Sequence, residues 1–130
     1  QKMAANLKDK ELSFQAAESA LKQGENFLVK STELDLFGIF NDTEGLYTFD
    51  KNREFLSDDS WNKMSKRKAD KLHQVRSNPV YIVEELPEVR ELDDSLEIPR
   101  AISSHYYRVT AKSNGGTDSA KTVLQIMYKK

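Results

Sequence analysis

The chain has 130 residues, with 20 basic and 21 acidic side chains, a net charge of −1 and no cysteine. This length supports one hydrophobic core, and the balanced charge creates no overall field that would attract nucleic acid or an anionic membrane. The lack of cysteine excludes disulfides, thiolate nucleophiles and zinc–thiolate sites. No apolar run approaches the roughly 18 residues of a membrane span. We therefore expect a single domain over residues 1–130.

Residues 1–24 predict one long amphipathic helix. Apolar side chains recur along one face at near-helical spacing: Met3, Leu7, Phe14, Ala17 and Leu21. Gly24 follows where a C-terminal cap is expected. At 1.5 Å per residue the helix is about 35 Å long, more than a domain of this size needs to cover its core. The excess length favours an assembly role for this face, and covering the sheet alone is the alternative.

Two further expectations follow from this helix. Phe14 lies at the centre of the apolar face, so its ring should be buried against strand residues such as Val109 or Leu124, whereas Met3 and Leu7 lie towards the overhanging end. The sequence also begins inside the helix, without an initiator methionine or an N-cap residue. We therefore expect about 25 further, largely apolar residues upstream, enough to span a bilayer as a helix.

Residues 25–78 predict a connecting region with little regular structure. Apolar runs at 34–40 and 46–49 flank the turn-forming residues 41–45, which favours a folded loop over a short hairpin. Further on, Ser57 and the two aspartates after it predict the N-cap and acidic first turn of a short helix. Trp61 and Met64 would face inward from this helix.

Residues 79–130 alternate with period two and predict an antiparallel sheet. Pro79 and Pro87 limit a first strand, and residues 104–112 and 120–128 form a hairpin around a glycine-containing turn. The inner faces of the hairpin are His105, Tyr107, Val109, Ala111, Thr122, Leu124, Ile126 and Tyr128. The acidic segment 88–99 lacks periodicity and predicts a loop. The expected fold class is α+β, with a long N-terminal helix packed on an antiparallel sheet of three or four strands.

Several segments together carry a family resemblance over nearly the whole chain. In the helix they are residues 2–6, 9–10 and 13–21. The third of these contains the sequence motif Phe14-Gln15-Ala16-Ala17-Glu18. Beyond the helix they are residues 45–47, 79–86, 107–111, 115–116 and 123–125. In these segments, and in its order of helix, loop and sheet, the chain resembles the PilX-type minor pilins of type IV pili.

The resemblance implies a structural role without chemistry. PilX-type minor pilins prime or support pilus assembly at or near the tip, in twitching motility, adhesion or DNA uptake by Gram-negative bacteria. The implied partners are other minor pilins, the major pilin, a tip adhesin, and the inner membrane through an apolar helix segment. The implied location is the inner membrane and periplasm before assembly, then the extracellular pilus. No cofactor is implied.

The residues themselves also argue against an enzyme. The two histidines, His73 and His105, have no evident catalytic partner, and no nucleophile-elbow or phosphate-loop pattern is present. Calcium binding is an alternative role for the acidic loop side chains Glu91, Asp93, Asp94 and Glu97. Because they lack the spacing of an EF-hand, a solvated acidic loop is favoured.

A basic cluster supports a second alternative, an adhesive or DNA-contacting module at the pilus tip. Its members are Lys63, Lys66, Arg67, Lys68, Lys71 and Arg76. On a helix, Lys63, Arg67 and Lys71 would share one face, although a solvated face is favoured over DNA contact because the overall charge is balanced.

The charges are also unevenly distributed along the chain. Residues 63–76 hold six bases and one acid, whereas residues 84–97 hold seven acids and one base. One hypothesis is that these segments form separate patches that meet complementary patches on neighbouring minor pilins. The alternative is that they neutralise each other within the chain.

Overall fold

The computed structural model describes residues 2–70, 77–93, 100–115 and 120–130. Within these residues the chain forms three helices and seven strands. In chain order they are α1 (Lys2–Lys30), α2 (Glu33–Leu36), β1 (Leu46–Thr48), α3 (Asp58–Lys63), β2 (Arg67–Lys68), β3 (Val80–Glu85), β4 (Val89–Asp93), β5 (Arg100–Ser104), β6 (Tyr106–Asn114) and β7 (Lys121–Lys129).

The main sheet is mixed and not purely antiparallel. Its strand order is β1-β3-β6-β7, and β2 also pairs with β3. The predicted hairpin is confirmed, since β6 and β7 pair antiparallel, as do β3 and β6. Strand β1, however, runs parallel to β3, and it shares one edge of β3 with β2. The α+β class is confirmed, and β2, β3, β6 and β7 are antiparallel as expected. The expectation of an entirely antiparallel sheet is wrong for β1, because the segment holding α3 acts as a crossover that brings β1 and β3 into parallel alignment.

A second sheet lies where the sequence predicts a loop. Strands β4 and β5 pair antiparallel, from Val89 opposite Ser104 to Asp93 opposite Arg100. The prediction of a loop is thus wrong for residues 89–93. The pairing depends on backbone hydrogen bonds to β5, 7 to 15 positions along the chain, which a search for alternating polarity within one segment does not detect. Residues 94–99, the remainder of that predicted loop, lie outside the described residues.

Helix α1 covers one face of the main sheet with small side chains. Ala16, Ala17 and Ala20 have no exposed surface, and Leu21 and Leu28 complete the buried face. The sheet contributes side chains from alternating positions of β3 and β6, namely Tyr81, Val83, Tyr107, Val109 and Ala111. The predicted inner face of β6 is confirmed at 107, 109 and 111.

The helix continues past Gly24 and ends at Lys30, so the prediction of a C-terminal cap at Gly24 is wrong. Gly24 instead provides space for the sheet. A Cβ atom there would lie 2.5 Å from Cγ1 of Val109 and 3.2 Å from Cδ2 of Tyr81. The absent side chain therefore permits close contact between helix and sheet, and α1 reaches a length of about 44 Å.

A short segment covers the opposite face of the sheet. The amide of Ser60 donates to Oγ of Ser57 over 3.1 Å, which confirms the predicted N-cap of α3. Trp61 is 1% exposed and packs with Tyr47 and Ile82, while its Nε1–H donates to the carbonyl of Phe55 over 2.6 Å. The inward position of Trp61 is therefore confirmed, and the two faces of the sheet have separate apolar clusters.

The contact at Gly24 leads to a stability prediction. Gly24→Ala should lower the free energy of unfolding, because the strain of adding a methyl group, about 1–3 kcal/mol, should exceed the roughly 1 kcal/mol that alanine contributes to helix propensity. Urea unfolding followed by circular dichroism measures the difference. Asn26→Ala, at an exposed position of the same helix, is the control and should not destabilise the chain. Equal stability of Gly24→Ala and the parent chain would contradict the close contact.

Candidate assembly surface

The N-terminal part of α1 extends beyond the sheet. Gly115, just after β6, lies so close to the backbone of Asp9 that a Cβ atom would have no room. Residues 3–5, 7 and 8, which precede this contact, are exposed. The segment from residue 2 to residue 8 therefore extends by about 10 Å beyond this contact with Gly115.

Ser13 determines which side of α1 faces the sheet at this end. The side chain is fully buried, and its hydroxyl donates to Oγ1 of Thr122 over 2.8 Å. The hydroxyl of Ser113 in turn donates to the carbonyl of Ser13. The sequence did not indicate this role, because a single serine beside an apolar helix face has no distinguishing pattern. These bonds hold the helix in one rotation about its axis, since Ser13 needs partners in the interior.

The five residues predicted as one assembly face divide between two faces of α1. Ala17 and Leu21 are buried against the sheet. Met3, Leu7 and Phe14 are exposed by 77%, 63% and 45%, and we call these three the exposed stripe. Their spacings of four and seven residues place them along one line of the helix.

The expectation that Phe14 is buried against Val109 or Leu124 is wrong. Its neighbour Ser13 points into the interior, and successive residues of a helix are rotated by about 100°. The ring of Phe14 is therefore directed to the side of the contact and stays nearly half exposed. The sequence suggested burial because the largest apolar side chains were assigned to the core, whereas the actual contact uses alanines.

The basic cluster does not share one helix face. Helix α3 ends at Lys63, and Arg67 and Lys68 form β2, so the prediction that Lys63, Arg67 and Lys71 align is wrong. The local reason is that α3 has only six residues and ends at the cap residue Met64. Lys71 and Arg76 lie outside the described residues.

Most described members of the basic cluster have partners within the chain. Lys63 pairs with Asp59 over 3.0 Å on the surface of α3. The ammonium group of Lys66 donates to the carbonyl of Trp61 over 3.0 Å. Arg67 donates through Nε to the carbonyl of Glu44 over 2.9 Å, and its guanidinium lies 4.7 Å from the ring centroid of Phe27. Lys63 and Lys68 are exposed. Three of the four described members of the cluster are therefore engaged within the chain.

The acidic segment begins with a fully buried carboxylate. Glu84 has no exposed surface, and its Oε2 lies 2.7 Å from Nη1 of Arg53 while its Oε1 lies 2.7 Å from Nη2 of Arg108. The guanidinium of Arg53 lies over Tyr47, and that of Arg108 lies near Phe49 and Phe55. Glu84 is therefore not part of an exposed acidic patch. The sequence analysis missed this cluster because its three charged members, Arg53, Glu84 and Arg108, lie 24 to 55 positions apart.

The other predicted polar sites are described only in part. His105 is half-buried, and its carbonyl accepts a hydrogen bond from the amide of Lys130 over 2.9 Å. Within the described part of the chain, no group of three or more acidic or histidine side chains could hold a metal ion. Asp94, Glu97 and His73 lie outside it, so calcium binding by the acidic loop stays an untested alternative.

The Glu84 cluster predicts a large effect from a small substitution. Glu84→Gln should lower the free energy of unfolding by about 3–5 kcal/mol, because it leaves Arg53 and Arg108 without their shared carboxylate in a poorly solvated site. Thermal and urea unfolding measure the loss. Asp59→Asn, which breaks the exposed pair with Lys63, is the control and should leave stability unchanged. Similar stability of the two variants would contradict a buried ion pair.

The division of α1 into two faces predicts unequal effects of truncation. Leu28→Ala should cost about 2–5 kcal/mol, because Leu28 is fully buried. Phe14→Ala should cost well under half as much, because the ring retains much of its exposure to water. Urea unfolding of the two variants makes the comparison. A Phe14 variant as unstable as the Leu28 variant would place the ring in the core.

None of the described helices is both long and apolar enough to cross a membrane. A family model described as "Type IV pilus assembly protein PilX C-term" matches residues 29–130. The match covers all seven strands and begins near the end of α1, so residues 2–28 lie outside it. No curated protein and no solved structure gives a significant match.

Proposed function

The chain belongs to the PilX family of type IV pilus assembly proteins, and from this membership we propose that it primes or supports pilus assembly at or near the pilus tip through the exposed stripe of α1. Its role within the type IV pilus is that of a minor pilin, a structural component. The single observation that supports the site is the separation of the stripe from the buried face of the same helix.

The exposed stripe suits contact with a second helix. Met3, Leu7 and Phe14 follow the seven-residue periodicity that brings side chains of two packed helices into register. Met3 and Leu7 lie on the projecting segment, where the sheet of the same chain does not compete for them. Covering three large apolar side chains would remove them from water and so favour association.

The partners that fit this surface are the helices of other minor pilins and of the major pilin. In this proposal the chain acts from the inner membrane and periplasm before assembly and from the extracellular pilus afterwards. It contributes to twitching motility, adhesion and DNA uptake through the pilus as a whole. A direct DNA contact is not favoured, because three of the described basic side chains, Lys63, Lys66 and Arg67, have partners within the chain.

The test is a charged substitution in the exposed stripe. Leu7→Asp should sharply reduce the number of surface pili in the producing bacterium, because an unpaired carboxylate would have to be buried between helices. The melting temperature of the purified chain should stay unchanged, because Leu7 lies outside the core. Electron microscopy counts the pili, and calorimetry follows the folding.

Leu56→Asp is the matched control. Leu56 is a leucine of similar exposure, 75%, that lies outside α1. This variant should assemble pili at the parental level. Normal piliation with Leu7→Asp, at equal protein abundance, would overturn the proposal.

A further inference from the structure

Strand β7 is an edge of the main sheet that is open to another strand. It has nine residues, and within the described part of the chain it pairs with β6 alone. An edge of this length presents a row of backbone donors and acceptors to its surroundings. Many proteins cover such an edge or interrupt it with a proline, and β7 contains none.

The hydrogen-bond pattern shows which residues of β7 face outward. The amide of Lys130 donates to the carbonyl of His105, and the amide of Gly115 donates to the carbonyl of Ala120. In an antiparallel pair, hydrogen-bonded positions alternate, so the even-numbered residues of β7 bond to β6. The odd-numbered residues direct their N–H and C=O groups to the open edge, including Val123, Gln125 and Met127.

An apolar groove adjoins this edge. It has a volume of about 510 Å³ and is lined by Phe49, Leu86, Pro87, Tyr106, Arg108 and Met127. Met127 belongs to β7 and is 66% exposed. Since Glu84, Arg108 and Met127 lie opposite one another on β3, β6 and β7, a strand added to β7 would extend this row across the sheet. Its central side chains would cover Met127.

The charges at the ends of β7 restrict what can pair with it. At one end Asp58 lies between Lys112 and Lys121, at 2.7 and 3.6 Å, which leaves one positive charge in excess. At the other end Lys129 is exposed, whereas the ammonium group of Lys130 donates to the carbonyl of Leu28 over 2.8 Å. A second copy pairing antiparallel about Gln125 would place Lys121 opposite Lys129 at both ends. Like charges in directly opposed positions destabilise the pairing, so this edge disfavours its own copy.

We propose that β7 receives an extended strand from another protein, with acidic residues at its two ends and apolar residues in its middle. This surface is distinct from the exposed stripe of α1, so the inference goes beyond the assembly role proposed above. The backbone edge supplies hydrogen bonds to such a strand, the lysines select its terminal charges, and Met127 with the groove selects its apolar centre. Both ends of β7 are basic, so the preference holds for either direction of the added strand.

Two matched peptides test the proposal. The first has the sequence Glu-Thr-Val-Thr-Val-Thr-Val-Thr-Glu, which places its central valines on the face of Met127 when its glutamates lie opposite Lys121 and Lys129. The second carries lysine in place of both glutamates. Titrated into the ¹⁵N-labelled chain, the glutamate peptide should slow hydrogen exchange at the amides of Val123, Gln125 and Met127. The lysine peptide should bind at least about tenfold more weakly, because its ends meet like charges.

A proline variant distinguishes strand addition to β7 from nonspecific binding of the peptide to the protein surface. Gln125→Pro removes an outward N–H without breaking a backbone bond to β6, and it loses the bond from Nε2 to Oγ1 of Thr110, which Gln125→Ala also loses. It should weaken binding of the glutamate peptide at least about tenfold. Gln125→Ala keeps that N–H and should bind like the parent chain. Protected β6 amides in both variants would show that the sheet is intact.

Three results would overturn the proposal. They are equal or absent binding of the two peptides, unchanged binding by the proline variant, and self-association of the chain through β7 in the absence of peptide. The third result would assign the edge to a second copy. Each of these outcomes can occur whether or not Leu7→Asp reduces piliation, so the two proposals fail independently.

Discussion

The close contact of α1 with the main sheet governs how the remainder of the chain is used. Small side chains make this contact, with Ala16, Ala17 and Ala20 fully buried and Gly24 against Val109. A helix that approaches a sheet so closely leaves little room for leucine or phenylalanine at the centre of the contact. Leu21 and Leu28 are buried towards the C-terminal end of α1, whereas Met3, Leu7 and Phe14 lie at the side of the contact or beyond the sheet. The exposed stripe is thus a consequence of close packing, and it remains available to a partner.

A buried charge organises the opposite face of the sheet. Removing the carboxylate of Glu84 from water is unfavourable, and the attraction of Arg53 and Arg108 offsets that cost only when both lie in contact with it. Arg53 belongs to the segment between β1 and α3, so this requirement holds the segment against the sheet. The buried ring of Trp61 holds α3, which follows this segment, against the same face of the sheet. The outer face is consequently covered near β3, and the open groove and the free edge lie on the side of β7.

Much of this fold could be predicted from local patterns. Period-two alternation located β3, β6 and β7, and Ser57 marked the start of α3, because each signal depends on a few adjacent residues. The errors arose where distant residues decide the structure. Gly24 is the residue type typical of a helix C-terminus, yet it packs against Val109 within α1. The parallel partner of β1 and the burial of Glu84 likewise depend on residues more than 20 positions away.

Charge shows the same dependence on distant partners. The runs of basic and acidic residues suggested two surfaces of opposite sign, but backbone carbonyls hold Lys66 and Arg67, and arginines enclose Glu84. A charge that is already bonded within the chain contributes little to attraction at a distance. Two surfaces remain for recognition, the exposed stripe of α1 and the backbone edge of β7. They differ in physical character. A helix face is recognised by shape and apolar area, whereas a strand edge is recognised by hydrogen bonds and by the lysines that flank it. Under the two proposals above, the chain would engage two different neighbours, one through the exposed stripe and one through the edge of β7.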